Sequence, residues 1–200
     1  MTRRAVILLS FACVVPGRAQ QPRTVRSRHD TSFSSMTVIW LRNGPNKVDL
    51  NGDTKADLVV KAWRDNGNAH GFSTVTFYLS NPDTEYIKAI WLAVPFADSA
   101  GRSTSDYYRT YGGADCILSD MRLLRSREDP RAPVMLVTGD REGGQSFGDT
   151  MPVTFTVYRF VTDTEGLPGS PPYYFKAARI IHTRRRYCDV QDAFAREFGL

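Results

Sequence analysis

The 200-residue chain is poor in the residues that most enzymes use for chemistry, with only three histidines and three cysteines. No two histidines stand at a zinc-ligand spacing, so metal-assisted hydrolysis lacks its ligand set. Ser-x-x-Lys and Lys-Thr-Gly are absent as well. The sequence therefore offers no setting for an acyl-serine centre, and no catalytic residue is expected. No run of about 18 or more apolar residues occurs, so no transmembrane segment is expected. Arginines at 23, 26 and 28 and the run Arg184-Arg185-Arg186 lack interleaved aromatics and any nucleic-acid motif. They read as solvated faces, with no nucleic acid as partner.

The amino end carries the first positive signal. Met1-Thr2-Arg3-Arg4 precedes an almost wholly apolar stretch from Ala5 to Val15, and Pro16-Gly17-Arg18-Ala19 then supplies a turn and a small-residue cut. This is the pattern of a secretory signal peptide over residues 1–19, and it predicts a periplasmic protein. Loss of the leader removes Arg3, Arg4 and Arg18, and the formal charge falls from +5 to about +2. Cys13 leaves with it, so Cys116 and Cys188 remain. In an oxidising compartment that pair is most simply one disulfide, with two buried free thiols as the alternative. The bridge would close a 72-residue separation, to which chain entropy assigns roughly 4 kcal/mol.

The mature chain is long enough for one core, and no repeat or long linker divides it. Residues 20–35, rich in Arg, Ser and Gln, read as a flexible arm, and residues 36–200 as a single β-rich domain. Strand patterns run over 37–41, 58–63, 72–79, 86–94, 116–124, 134–138, 153–161 and 173–181, which are β-branched or aromatic and in places alternate with period two. Breakers separate them at Asn43-Gly44-Pro45, Asn81-Pro82-Asp83, Gly112-Gly113, 141–148 and 166–172. Only the end reads as a helix. Asp189 can cap it, Asp192 lies near its positive end, and Val190, Ala193, Phe194 and Phe198 share one face. The fold class is mainly β, a single domain of antiparallel sheet with a short C-terminal helix.

Residues 49–57, Asp-Leu-Asn-Gly-Asp-Thr-Lys-Ala-Asp, carry the densest chemistry. Asp49, Asn51, Asp53 and Asp57 occupy positions one, three, five and nine, and the Lys55 carbonyl falls at position seven, the spacing with which a short loop surrounds calcium. Position twelve is Val60 instead of a bidentate Glu, so the loop is no EF-hand and looks more like the strand–loop–strand loops of the integrin-type repeat. Thr54 stands where such loops have glycine. A structural Ca2+ site and an Asx-rich turn that serves its own backbone are both open.

Two further polar loops are candidates for ligand contact. Arg64, Asp65, Asn66, Asn68 and His70 gather between two strand patterns, where a ligand-contacting loop and a plain hairpin connection look alike. Arg141 and Glu142 open a Gly-Gly segment that could approach a ligand closely or merely form a hairpin tip. His182, beside the arginine run, reads as structural.

Several segments in order carry a resemblance. Lys47 to Asp53, Asn68-Ala69-His70-Gly71-Phe72, Thr76-Phe77-Tyr78, Asp115-Cys116-Ile117-Leu118, Val153-Thr154-Phe155 and Tyr187-Cys188-Asp189-Val190-x-x-Ala193-Phe194 resemble the carbapenem self-resistance family, the CarG-like exported bacterial proteins, over about 36–198. That resemblance implies a periplasmic protein that protects its cell from carbapenems without hydrolysing them, with a carbapenem or a periplasmic protein target as partner. A metal-stabilised extracytoplasmic interaction module unrelated to antibiotics is the alternative, and a hydrolase of unfamiliar type is a third.

Overall fold

The computed structural model describes residues 23–26, 33–80, 91–163 and 171–200. The leader at 1–19, the parts of the expected arm at 20–22 and 27–32, and the start of the expected strand at 86–94 lie outside the described residues. The strands are β1 (Arg23–Arg26), β2 (Met36–Ile39), β3 (Gly44–Val48), β4 (Asp57–Arg64), β5 (Phe72–Ser80), β6 (Trp91–Ala93), β7 (Phe96–Ala97), β8 (Ser103–Ser105), β9 (Tyr108–Arg109), β10 (Tyr111–Gly112), β11 (Ile117–Ser126), β12 (Met135–Arg141), β13 (Met151–Thr162) and β14 (Tyr173–Tyr187), and one helix, α1, spans Val190–Phe198. The protein is mainly β with a short C-terminal helix, as the pattern of β-branched and aromatic residues implies.

Two sheets face each other. The larger follows the order β10-β11-β12-β13-β14-β7-β8, with β1 beside β14 and β2 beside β11; the smaller follows β3-β4-β5-β6, with β9 beside β5. Most neighbours are antiparallel, whereas β1 and β7 run parallel to β14. Part of the stretch expected as an arm is thus paired, through Arg23 to Arg26 along Arg179 to His182. Phe33 is buried, its ring edge-on to Phe198 at 5.0 Å between centroids.

Packing explains why the larger sheet reads as long apolar runs. One of its faces meets the smaller sheet around Phe77, Phe96, Phe175, Leu123 and Leu136. Its other face meets α1 through Phe155, Val157 and Ile181, against Val190, Ala193, Phe194 and Phe198. Strand β11 is consequently buried at every residue from Met121 to Leu124, because alternation disappears when both faces are covered. Strand β5, which faces the core on one side only, keeps its period of two from Val75 to Leu79.

The helix forms where its caps allow. Asp189 accepts the Gln191 amide at 2.7 Å, and Gly199 closes the other end in the left-handed conformation with φ 70°. The second Asp189 oxygen accepts the Ile117 amide at 3.3 Å, tying the cap to the start of β11. Cys116 and Cys188 lie at disulfide distance beside this junction, with Cα atoms 5.6 Å apart.

Strand β3 forms where Asn43-Gly44-Pro45 reads as a breaker. It lies at the edge of the smaller sheet, where the missing amide of Pro45 leaves no central ladder broken.

Candidate functional site

Strand β11 has a gap on its outer edge. Strand β10 pairs with Ile117 and Ser119, and β2 pairs with Leu123 to Ser126, so among the described residues no strand covers Asp120, Met121 and Arg122 on that side. Side chains reach the backbone here. Tyr108 donates its hydroxyl to the Asp120 carbonyl at 3.0 Å, Arg122 Nη1 donates to the Met121 carbonyl at 2.9 Å, and the Met121 amide donates to Asp120 Oδ1 at 2.8 Å. Both backbone groups of Met121 are thus satisfied by side chains where no described strand lies beside them.

Above this gap a cleft of about 390 Å³ opens between the sheets, bordered by β2, β4, β5, β10, β11 and the first turn of α1. Its size falls in the range of small-molecule sites, roughly 300–1,000 Å³. Trp40 and Trp63 line it and are 73% and 57% exposed. Such exposure is unusual for the largest apolar side chain. Arg122 lies on the floor, nearly all buried, with its guanidinium 4.6 Å from the Phe194 ring and 5.4 Å from that of Trp40. Its Nη1 pairs with Asp120 Oδ2 at 2.6 Å, and Gln191 Nε2 donates to the same oxygen at 3.1 Å. Arg122 Nε is buried with no hydrogen-bond partner among the described residues. Lys61 adds a second cation. The indole of Trp63 lies over Gly71, where a Cβ would meet it at 2.2 Å, so only glycine permits that placement.

The expected site residues fall into three loops, none of which supplies the polar lining of the cleft. In the first, Asp49 accepts the amides of Gly52 at 2.7 Å and Thr54 at 3.0 Å, Asn51 accepts that of Asp53 at 3.1 Å, and Asp53 accepts that of Lys55 at 2.8 Å. Asp57 is buried and ties the loop to the smaller sheet, accepting Leu50 at 2.7 Å and Ser80 at 2.8 Å. Burial pushes its carboxyl above the ordinary value against the pull of those two hydrogen bonds. Gly52 has φ 82° and no room for a side chain, since a Cβ would sit 1.9 Å from the Arg131 carbonyl oxygen. Thr54 also takes positive φ, at 70°, a strained choice for a β-branched residue. Among the described residues no group of three or more His, Cys, Asp or Glu converges as a metal centre. The donors that could serve a cation here are Asp49, Asn51, Asp53, Asp57 and the Lys55 carbonyl, all oxygens.

The second and third loops meet. Phe147 lies between His70, at 4.9 Å between ring centroids, and Tyr111, at 5.6 Å. The polar side chains of 64–71 mostly serve their own backbone: Asp65 accepts the Gly67 amide and Asn68 the His70 amide, each at 2.8 Å, and Asn66 Nδ2 donates to the His70 carbonyl at 2.8 Å. Arg64 lies over the Phe72 ring at 5.3 Å. Only Ala69 and Gly71 of this loop reach the cleft. Arg141 is buried and donates to the carbonyls of Phe147 at 2.8 Å, Cys188 at 3.1 Å and Asp149, while Glu142 is exposed. His182 is exposed and shares a hydrogen bond with Thr154 Oγ1 at 3.0 Å.

The expectation that the sequence holds no serine-nucleophile setting needs one correction. Gly144-Gln145-Ser146-Phe147-Gly148 spells Gly-x-Ser-x-Gly. A nucleophile elbow requires a strand, a sharp turn and then a helix. Here the string joins β12 to β13, and the Ser146 amide and hydroxyl both go to the Asp149 carboxylate, at 2.9 and 3.2 Å. The motif is a hairpin tip. Gly144 is required because a Cβ would stand 2.6 Å from Asp149 Oδ2.

Fold and cleft together define a helix-backed two-sheet β protein with a small-molecule-sized opening between its sheets. A family model, carbapenem resistance protein CarG-like, matches residues 41–196, and the chain belongs to that family. Among solved structures it is similar to the crystal structure of CarG, at 26% identity and a TM-score of 0.65, over 79% of this chain and 93% of that one. No curated protein matches it. The matched span includes β3 to β14, the disulfide pair and most of α1. Among the described residues no helix is long and apolar enough to cross a membrane.

Proposed function

We propose that this carbapenem-resistance-related protein acts in the periplasm and protects its cell without opening the β-lactam ring. The observation that carries the reading is the engagement of two hydroxyls, that of Thr110 at the cleft and that of Ser146 in the Gly-x-Ser-x-Gly string. Thr110 Oγ1 accepts the Ser73 amide at 2.9 Å, so this hydroxyl belongs to the sheet; Ser146 belongs to the Asp149 hairpin. Neither hydroxyl has a histidine or lysine as its hydrogen-bonded base in the described contacts, and nucleophilic catalysis needs such a partner. The leader pattern at 1–19 supports export, which places the protein where carbapenems meet their targets.

The test is to express the full chain in a susceptible bacterium and to incubate purified mature protein with a carbapenem. Raised tolerance together with carbapenem absorbance unchanged over hours is the expected pair of results. Ser146→Ala is expected to keep the protection, whereas drug consumed at many equivalents per protein and lost in Ser146→Ala would establish a hydrolase.

We also propose a structural calcium ion at 49–57. Thr54 at positive φ supports this, because the chain accepts there the backbone that a glycine-bearing calcium loop adopts. Each oxygen of Asp49 keeps a second lone pair beyond its amide partner.

A further inference from the structure

We infer that the cleft over the β11 gap is a binding site for a compact, rigid apolar molecule bearing one carboxylate. Its link to a carbapenem's fused-ring carboxylate rests on the protective function proposed above.

The walls supply the apolar half. Trp40 and Trp63 offer indole surface to solvent on a protein that elsewhere has aromatic rings to spare for its core, and both are held in place: Trp63 by its seat on Gly71, and Trp40 by the Arg122 guanidinium. Aromatic walls fixed before binding lose little conformational freedom when a ligand arrives. The floor supplies the charge. Asp120 already receives three donors, the Met121 amide, Arg122 Nη1 and Gln191 Nε2, so its oxygens are largely engaged. Arg122 and Lys61 outnumber it, leaving the cleft with one net positive charge. Arg122 contributes its positive charge from below, its Nη1 engaged by Asp120 and the Met121 carbonyl and its Nε buried, and Lys61 is the more exposed of the two cations.

Volume limits the occupant. A cleft of about 390 Å³ suits a fused ring or a similarly compact acid and is small for a folded partner. The gap in the edge is three residues long, which is too short to pair productively with an added peptide strand.

The experiment uses the mature, disulfide-bonded chain labelled with nitrogen-15. Three probes are titrated: a carbapenem, the methyl ester of the same carbapenem, and cyclohexanecarboxylate, which has no lactam. The three indole N–H signals report location, with Trp91 as the internal control. Saturable shifts of Trp40 and Trp63 with the carbapenem, a still Trp91, and roughly tenfold weaker binding of the ester are expected. Lys61→Gln and Trp40→Ala/Trp63→Ala each weaken binding by roughly tenfold, and both substitutions lie on exposed or half-exposed positions that leave the core intact. Indole signals unmoved by both acids at millimolar concentration overturn the inference. If the cleft is silent and the full chain still raises tolerance, the inference falls and the protective function stands. Cyclohexanecarboxylate or the drug bound in the cleft without any effect on tolerance has the reverse meaning.

Discussion

Arg122 and Arg141 are both buried, and each leaves Nε without a partner among the described residues. Their surroundings differ in kind. The Arg141 guanidinium ends on backbone carbonyls of Phe147, Asp149 and Cys188, all from segments that must meet for the hairpin and the helix start to close. Arg122 ends on one carboxylate, one carbonyl of its own edge, and two aromatic rings, one of them the exposed Trp40. A cation spent on carbonyls is a strut. Arg122 instead lies under an indole that is open to solvent at the cleft, and this separates the 141–149 region, where the sequence places a ligand-contacting Arg, from the cleft.

The comparison can be broken from its structural side first. Replacing Cys116 and Cys188 by alanine removes the staple beside the Arg141 strut, and stability is expected to fall by at most about 4 kcal/mol in urea unfolding, with strain and residual denatured structure subtracting from it. Arg141→Ala leaves its carbonyl partners without their donor and is expected to lower stability by about 3 kcal/mol without changing carbapenem tolerance at permissive temperature. A loss of tolerance in an Arg141 variant that remains folded and exported would erase the distinction drawn here. Calcium at about ten times its dissociation constant is expected to raise stability by about 1.4 kcal/mol, and Asp53→Ala to abolish the rise. An identical melting temperature with calcium and with chelator would leave the 49–57 loop as a turn held by its own amides. The smallest effect on stability is expected at Trp40: Trp40→Ala changes it by under about 0.5 kcal/mol, because that side chain is 73% exposed and buries little.

The β architecture was legible because burial leaves a local signature. Val153, Phe155 and Val157 alternate with Thr154, Thr156 and Tyr158 along β13, and Asp189 before Val190 announces α1 with its cap. Strand β3 was hidden by Pro45, whose local preference yields to an edge position. The short strands β7 to β10 are two or three residues long and carry no periodicity to detect. The cleft was illegible for a different reason. Trp40, Lys61, Trp63, Arg122 and Gln191 come from three strand or loop segments and a helix, and the register of β2 and β10 along β11 brings them over one gap. Local Asn, Asp and Gly clusters drew notice to 49–57, 64–71 and 141–148, yet most of those side chains hold their own loops. A usable signal was present in the tryptophans: each cleft tryptophan stands where a strand pattern gives way to a polar or breaker segment, Trp40 before Arg42-Asn43-Gly44 and Trp63 before Arg64-Asp65-Asn66-Gly67.

The most direct measurement compares carbapenem tolerance in a susceptible bacterium expressing the full chain with that of the same strain expressing Trp40→Ala/Trp63→Ala, at equal periplasmic amounts and with the drug concentration in the medium followed throughout. The expected result is raised tolerance with the full chain, near-background tolerance with the double variant, and the same drug concentration in both cultures. Equal tolerance of the two strains, or tolerance that tracks disappearance of the drug, would contradict protection through the cleft without hydrolysis.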